Sequence, residues 1–581
     1  MLALGRRESW EGRGQFILPV VLVGFTVALI LLPLLTMILF SLRLGPPWNP
    51  GDFSLDNYIT AYGDIQTYEI FGNTVLVAAA STAISVGIAI MFAFLTERTD
   101  LPYRNVAWGL MLVPMAMPGL LFAVSWTLLL SPRIGMFNVW LREFLDLFGI
   151  EVSEGPFNIY SLWGMIFLEG MRGVTTTFLI MVGAFRAMDP SVEEAARTSG
   201  ASNFTTLRRV SLPLLTPAIF GATMYTFMEH LESLEIPIII GLPARVFVFP
   251  TYIYFTTQRY TPPQYGLAAA LSVAFVIVSI LLIYWYRRMT RGGGRYATVT
   301  GKGYRPRLIV LGRWRMPLFV TFVLFFILSI GAPAAALLWS SFLPSPQAPS
   351  WALFDSLTTR NYTRIYGDKT VWQAAWNTLN ISVAAATLTM ALSLTMAWVA
   401  VRLRSRWGAV VDGLAFQSQS LPGIVIGIAL IFFSLQWPFS ELQLYGSLTV
   451  VVLGLTLSYL SFGSRMMSGA LEQVHKELEE AGRTSGARWH VIMQRIVIPL
   501  LIPSFISGWI WVVTHALRNL SVPLLLSSRD NKVLSVVLWH TWDDGYAGRA
   551  SALGVGLLIA LGMITVLGRW AVTKLSRQQE G

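Results

Sequence analysis

Glu193 to Ala201 reads EEAARTSGA, and Glu479 to Ala487 reads EEAGRTSGA, identical in eight of nine positions at a shift of 286 residues. The same shift carries Pro213, Pro217 and Pro237 onto Pro499, Pro503 and Pro523. Upstream the shift is 304: Asn57-Tyr58 and Tyr62-Gly63-Asp64 recur as Asn361-Tyr362 and Tyr366-Gly367-Asp368, Asn73-Thr74 as Asn377-Thr378, and Pro118-Gly119 as Pro422-Gly423. The 18-residue difference falls between Gly119 and Glu193, which suits an extra stretch around Arg133–Tyr160. Matches in register over such lengths mark an internal repeat. One unit occupies 1–286 and the other 316–581. Between them, 287–315 is a linker with Gly292-Gly293-Gly294, nine basic residues and no acidic one.

Composition says what kind of unit repeats. The 581 residues are 54% hydrophobic and only 13% charged, with mean hydropathy +0.60. That is too little charge to cover a soluble protein of this size, so the bilayer must bury the apolar surface. Each span then has to satisfy its own backbone as a helix. Apolar runs of about 20 residues fall near 16–42, 70–96, 105–130, 160–185, 211–240 and 264–286, and near 316–342, 373–401, 408–435, 446–470, 497–526 and 551–571. The expected fold is an all-α polytopic membrane protein of about twelve transmembrane helices in two six-helix repeats. An even number of spans per unit makes the copies parallel. The first run is too long for a signal-peptide core and reads as a retained span.

Lysine and arginine set the orientation. With the N-terminus inside, 27 basic residues fall on inside segments and 11 on outside ones, the remaining four lying within the apolar runs. Both termini are therefore expected in the cytoplasm. The net charge of +11 owes much to the linker, which between two spans suits anionic headgroups rather than nucleic acid. Cysteine is absent, and the five histidines (His230, His475, His490, His515 and His540) show no metal-ligand spacing, so no metal site is assigned.

The duplicated stretch lies inside, between the fourth and fifth spans of each unit, in loops 189–213 and 475–499. In the first copy Asp189 and Pro190 suit an N-cap and first helical position. Glu193 and Glu194 sit near the positive helix end. Ala195 and Ala196 leave one face free of bulk, and Gly200 is placed to stop the helix in a left-handed conformation. Each copy reads as a polar helix-turn-helix projecting into the cytoplasm.

Glu194-Ala195-Ala196, three residues, Gly200, nine residues and Val210-Ser211-Leu212-Pro213 resemble the EAA loop of binding-protein-dependent ABC importer permeases. Glu480-Ala481-Gly482, Gly486 and Ile496-Val497-Ile498-Pro499 repeat the spacing, departing at Gly482 and in His475-Lys476 where the first copy has Asp-Pro. The resemblance implies coupling helices that rest on two copies of a cytoplasmic ABC ATPase, with Glu193, Glu194, Ala195, Ala196, Gly200, Glu479, Glu480, Ala481, Gly482 and Gly486 at the contacts. It also implies a periplasmic solute-binding protein as partner. ATP and Mg would be used by the ATPase, since no G-x-x-x-x-G-K-[ST] loop occurs here: Gly301-Lys302-Gly303 lacks the preceding glycine and the following hydroxyl.

Ionisable groups inside spans point to a pathway. Glu229, Glu232 and Glu235, at i, i+3 and i+6, lie within about 120° of one another on a helix. Arg518 and Asn519 occupy the matching region of the second unit, where Arg518 is placed to hold Glu232 or Glu235. Glu169 and Arg172 read as an i, i+3 ion pair. A carboxylate-lined route suits a hard cation or a cationic organic solute. Glu232 to Phe249 (ESLEIPIIIGLPARVFVF) and the fused layout are most similar to ferric-iron importer permeases, while permeases for thiamine, phosphonate and polyamines share the layout. A twelve-span secondary transporter would also have parallel halves but needs no duplicated lever. A membrane enzyme would need a constellation such as H-E-x-x-H or G-x-S-x-G, and the sequence has neither.

Overall fold

A computed structural model describes residues 4–290, 308–402, 406–418 and 421–580; most of the expected linker, at 291–307, lies outside the described residues. Among the described residues, ten helices are long and apolar enough to cross a membrane, and two further pairs, Arg104–Ala116 with Gly119–Leu130 and Glu235–Ala244 with Phe249–Gln258, bend by 98° and 71°. The fold is all-α and polytopic, in two repeats.

The repeated sequence motifs hold matching joints. Asn57 donates its amide to the carbonyls of Ser41 and Arg43, at the end of the first span. Asn361 does the same for Ser341 and Leu343. These carbonyls belong to a helix end and have no partner within the helix, so the side-chain amide satisfies them. Tyr58 and Tyr362 each meet a serine hydroxyl, Ser41 and Ser341, at 2.7 Å. Tyr62 and Tyr366 bond the carbonyls of Ala270 and Ala552 in the last span of each unit. Thr74 and Thr378 accept from the backbone N–H of Phe249 and Leu534, both at 2.9 Å.

Each unit is centred on a packed pair of long helices, Ile65–Arg98 with Leu162–Ala187 and Lys369–Arg402 with Leu448–Gln473. Small residues let these backbones approach. Ser81 and Ser85 donate to the carbonyls of Ile166 and Gly170, and a Cβ on Gly170 would press on Ile84 at 3.0 Å. The first span of each unit crosses to the other. Phe40 stacks on Phe432 at 4.8 Å, and Phe322 lies 4.3 Å from Phe92. This exchange binds the two units into one bundle.

The spans expected at 105–130, 211–240, 408–435 and 497–526 are not continuous. The first breaks before Pro118-Gly119 and the third before Pro422-Gly423, where proline supplies no N–H to the preceding turn. The other two break at Glu232–Leu234 and around Arg518–Leu520, a few residues ahead of Pro237 and Pro523. The stretch 241–263, between two of the expected spans, contains the buried helix Phe249–Gln258. Hydropathy windows average over such breaks, which is why the runs read as whole spans.

Candidate functional site

Two regions carry chemistry: the paired loop helices at one face and the cluster of helix breaks within the bundle. The first loop helix is Pro190–Thr198 and the second Lys476–Thr484. Asp189 accepts from the Ser191 N–H at 2.9 Å, while His475 makes no side-chain cap. Both helices stop at glycines with positive φ, +88° at Gly200 and +79° at Gly486, a conformation costly for any residue with a Cβ. Behind the stops, Ala201 bonds the Ala196 carbonyl and Ala487 that of Gly482. Gly482 also has a steric reason. A Cβ there would stand 3.0 Å from Ile492, so the glycine lets the second helix pack close to the following turn.

The outward faces hold Ala195, Glu480 and Ala481, with the apolar side chains of Val192, Leu478 and Phe204 beside them. Glu193 and Glu479 point the other way. They are only 5% and 8% exposed, and each is the sole buried residue of its helix. Glu193 pairs with Arg98 at 3.0 Å and accepts from the Ser211 hydroxyl at 2.7 Å. Glu479 pairs with Arg402 at 2.7 Å. Neither arginine was singled out from sequence. The signal was present, because 98 and 402 differ by the repeat shift of 304 and both close a long apolar run.

Within the bundle the two breaks of each unit meet, Gly119 against Glu235 and Gly423 against Ser521, and Arg518 reaches across the units to Met115. Glu169, 1% exposed, accepts a short bond from the Ser233 hydroxyl and lies 3.4 Å from His230 Nδ1. Arg172 is 4.0 Å from Glu169, as the i, i+3 spacing predicts, but closer to Glu235 at 3.2 Å. Gly119 lines this pair so tightly that a Cβ would collide with the Glu235 carboxylate and sit 2.9 Å from the Arg172 guanidinium. Ser85 bridges from the neighbouring span, bonding His230 Nε2 at 3.2 Å.

Among the described residues, Glu229 and Glu232 form no ion pair, and Glu229 buries a carboxylate oxygen that has no hydrogen-bond partner. Arg518 holds neither Glu232 nor Glu235. It donates instead to the backbone carbonyl of Met115, in the last turn before the break in the other unit. Asn519 bonds the Tyr459 hydroxyl at 2.9 Å and accepts from the Val522 N–H at 3.2 Å, tying its own break shut. Glu232 and Arg518 stand at equivalent places in the repeat, so an acid in one unit answers a base in the other. No three of the His, Asp and Glu groups among the described residues converge in a way that could hold a metal.

The profile of the family described as binding-protein-dependent transport system inner membrane component matches twice, over residues 85–292 and 389–579. The ferric transport system permease protein FbpB of Actinobacillus pleuropneumoniae is 24% identical over 537 residues, covering 91% of this chain and 75% of that protein. An Fe(3+)-transport system permease protein, FbpB 2 of Haemophilus influenzae, is 25% identical over 82% of this chain and 85% of its own length. The putrescine transport system permease protein PotI of Escherichia coli is 24% identical, over 42% of this chain and 88% of its own. With both repeats matched across most of their length, this chain belongs to the family of binding-protein-dependent transport system inner membrane components, the multi-pass permease subunits of ABC importers.

Proposed function

We propose that this chain is the permease of an ATP-driven importer of ferric iron, with both termini and both loop helices in the cytoplasm. The observation that carries the reading is the pair of loop helices, matched in length, stop and buried glutamate, each presenting an exposed alanine and exposed apolar side chains. Two copies of an ABC ATPase would seat on those faces and supply the ATP and Mg chemistry. A binding protein would deliver cargo to the opposite face.

The helix breaks support a cationic cargo. Arg172 and His230 occupy Glu169 and Glu235, which leaves Glu229 and Glu232 to meet a passing charge. Carboxylates that line a route without converging attract a cation yet release it, as conduction requires. The ferric names of the relatives favour iron; the putrescine relative and the same carboxylates support a second reading, an organic polycation.

The test is uptake into vesicles containing this chain with a cognate ABC ATPase and binding protein. Labelled ferric iron should accumulate only with ATP, and Glu229→Gln with Glu232→Gln should slow it about tenfold. Accumulation of putrescine, thiamine or an aminophosphonate in its place would reassign the cargo. Failure of any ATPase to bind the loop face would overturn the permease reading itself.

A further inference from the structure

The glutamates Glu193 and Glu479 of the loop helices are buried and paired with arginines of the bundle. Arg98 is the last residue of Ile65–Arg98, is 4% exposed, and makes two kinds of contact at once. Its Nε meets the Glu193 carboxylate at 3.0 Å, and its Nη2 donates to the carbonyl of Phe185 at 2.7 Å, in the last turn of Leu162–Ala187. The Ser211 hydroxyl then joins Glu193 to the π-helical turn that enters the fifth span. One guanidinium–carboxylate contact therefore gathers the ends of the second, fourth and fifth spans around the loop helix. In the second unit Arg402 closes Lys369–Arg402, meets Glu479 at 2.7 Å and donates to the Val474 carbonyl at 2.9 Å. Position 497, equivalent to Ser211, is valine, so this copy lacks the hydroxyl tie.

Both loop helices are polar and bury no apolar residue, so apolar packing holds them only weakly to the bundle. A charge pair sealed from water is a strong tie for such an element, because loss of either partner leaves an uncompensated buried charge. We propose that Arg98–Glu193 and Arg402–Glu479 are positioning pairs that fasten each loop helix to the second and fourth spans, so that a push on the loop reaches the helix breaks instead of being lost in local rocking. This rests on the permease reading. It divides the tandem glutamates: Glu193 and Glu479 hold the lever, while the half-buried Glu194 and the exposed Glu480 lie off that contact. The missing hydroxyl makes the second tie the weaker one.

The chain has no cysteine, so spin labels can be placed on Gln258→Cys and Asp544→Cys, two exposed positions on the face opposite the loops. In the assembled complex with its ATPase, trapping with ATP and vanadate should shift the distance between the labels. Glu193→Gln with Glu479→Gln should cut the shifted population about fivefold while ATPase binding and ATP turnover stay within about twofold. Glu193→Asp with Glu479→Asp, which keeps the charge, should restore part of the shift. Should the double Gln variant fail to assemble, Glu479→Gln alone leaves the first tie whole and should still lower the shifted population about twofold. A full shift in the double Gln variant, or in the single variant where only that one assembles, overturns the proposal. Absence of ATPase binding in the unsubstituted chain overturns the permease reading instead, and the two failures are thereby distinguished.

Discussion

Gly200 and Gly486 permit a calculation with few adjustable parts. At both positions φ is positive, +88° and +79°, and a Cβ built on either would find no atom within 4 Å. An alanine therefore meets no steric clash, and the whole cost is backbone conformation, about 1–2 kcal/mol. If the stop frays instead, that energy raises the open population about 5- to 30-fold. Amide exchange of the segment 189–203 in Gly200→Ala should quicken by that factor, and the ATPase should bind correspondingly more weakly; Gly486→Ala should do the same for 475–489. Gly183 is the control. It lies inside Leu162–Ala187 with equally open space, so Gly183→Ala should stabilise its helix by up to about 1 kcal/mol. Unchanged exchange in Gly200→Ala, measured beside that control, would refute the claim that left-handed glycine terminates the lever.

Glu169→Gln removes the acid that His230, Arg172 and Ser233 surround and should lower unfolding stability by about 3–5 kcal/mol, seen as a fall in Tm in detergent. Gly173→Ala would drive a Cβ to 2.8 Å from the His230 ring, and overpacking of about 1–3 kcal/mol should appear in the same melt. Asn57→Ala and Asn361→Ala each release two carbonyls and should cost similar amounts, about 1–3 kcal/mol apiece; strongly unequal melts would mean the joints are not equivalent. Gly119→Val should displace the Arg172–Glu235 pair and abolish cargo uptake without loss of ATPase binding, so normal uptake would remove the break at Pro118-Gly119 from the pathway.

Much of this protein was legible in the residue string because its constraints are local or repeated. Hydropathy places the spans, since a helix in lipid must be apolar along its own length. The shifts of 304 and 286 expose the two units, and a glycine that needs positive φ announces a helix stop wherever the chain folds. The i, i+3 pair of Glu169 and Arg172 was readable for the same reason.

What tertiary structure alone decided is partnership across the chain. Sequence placed Arg518 against Glu232 or Glu235, but the Met115 carbonyl, in the last turn before the break at Met117–Pro118, lies within its reach, and a backbone carbonyl in the bundle is a demanding partner. Glu193 and Glu194 are adjacent in sequence and alike in chemistry. They differ only because a helix turns about 100° between them, which points one at Arg98 and leaves the other half-buried, away from that contact. Long-range contacts of this kind depend on which spans become neighbours, and no window on the sequence contains both members of the pair.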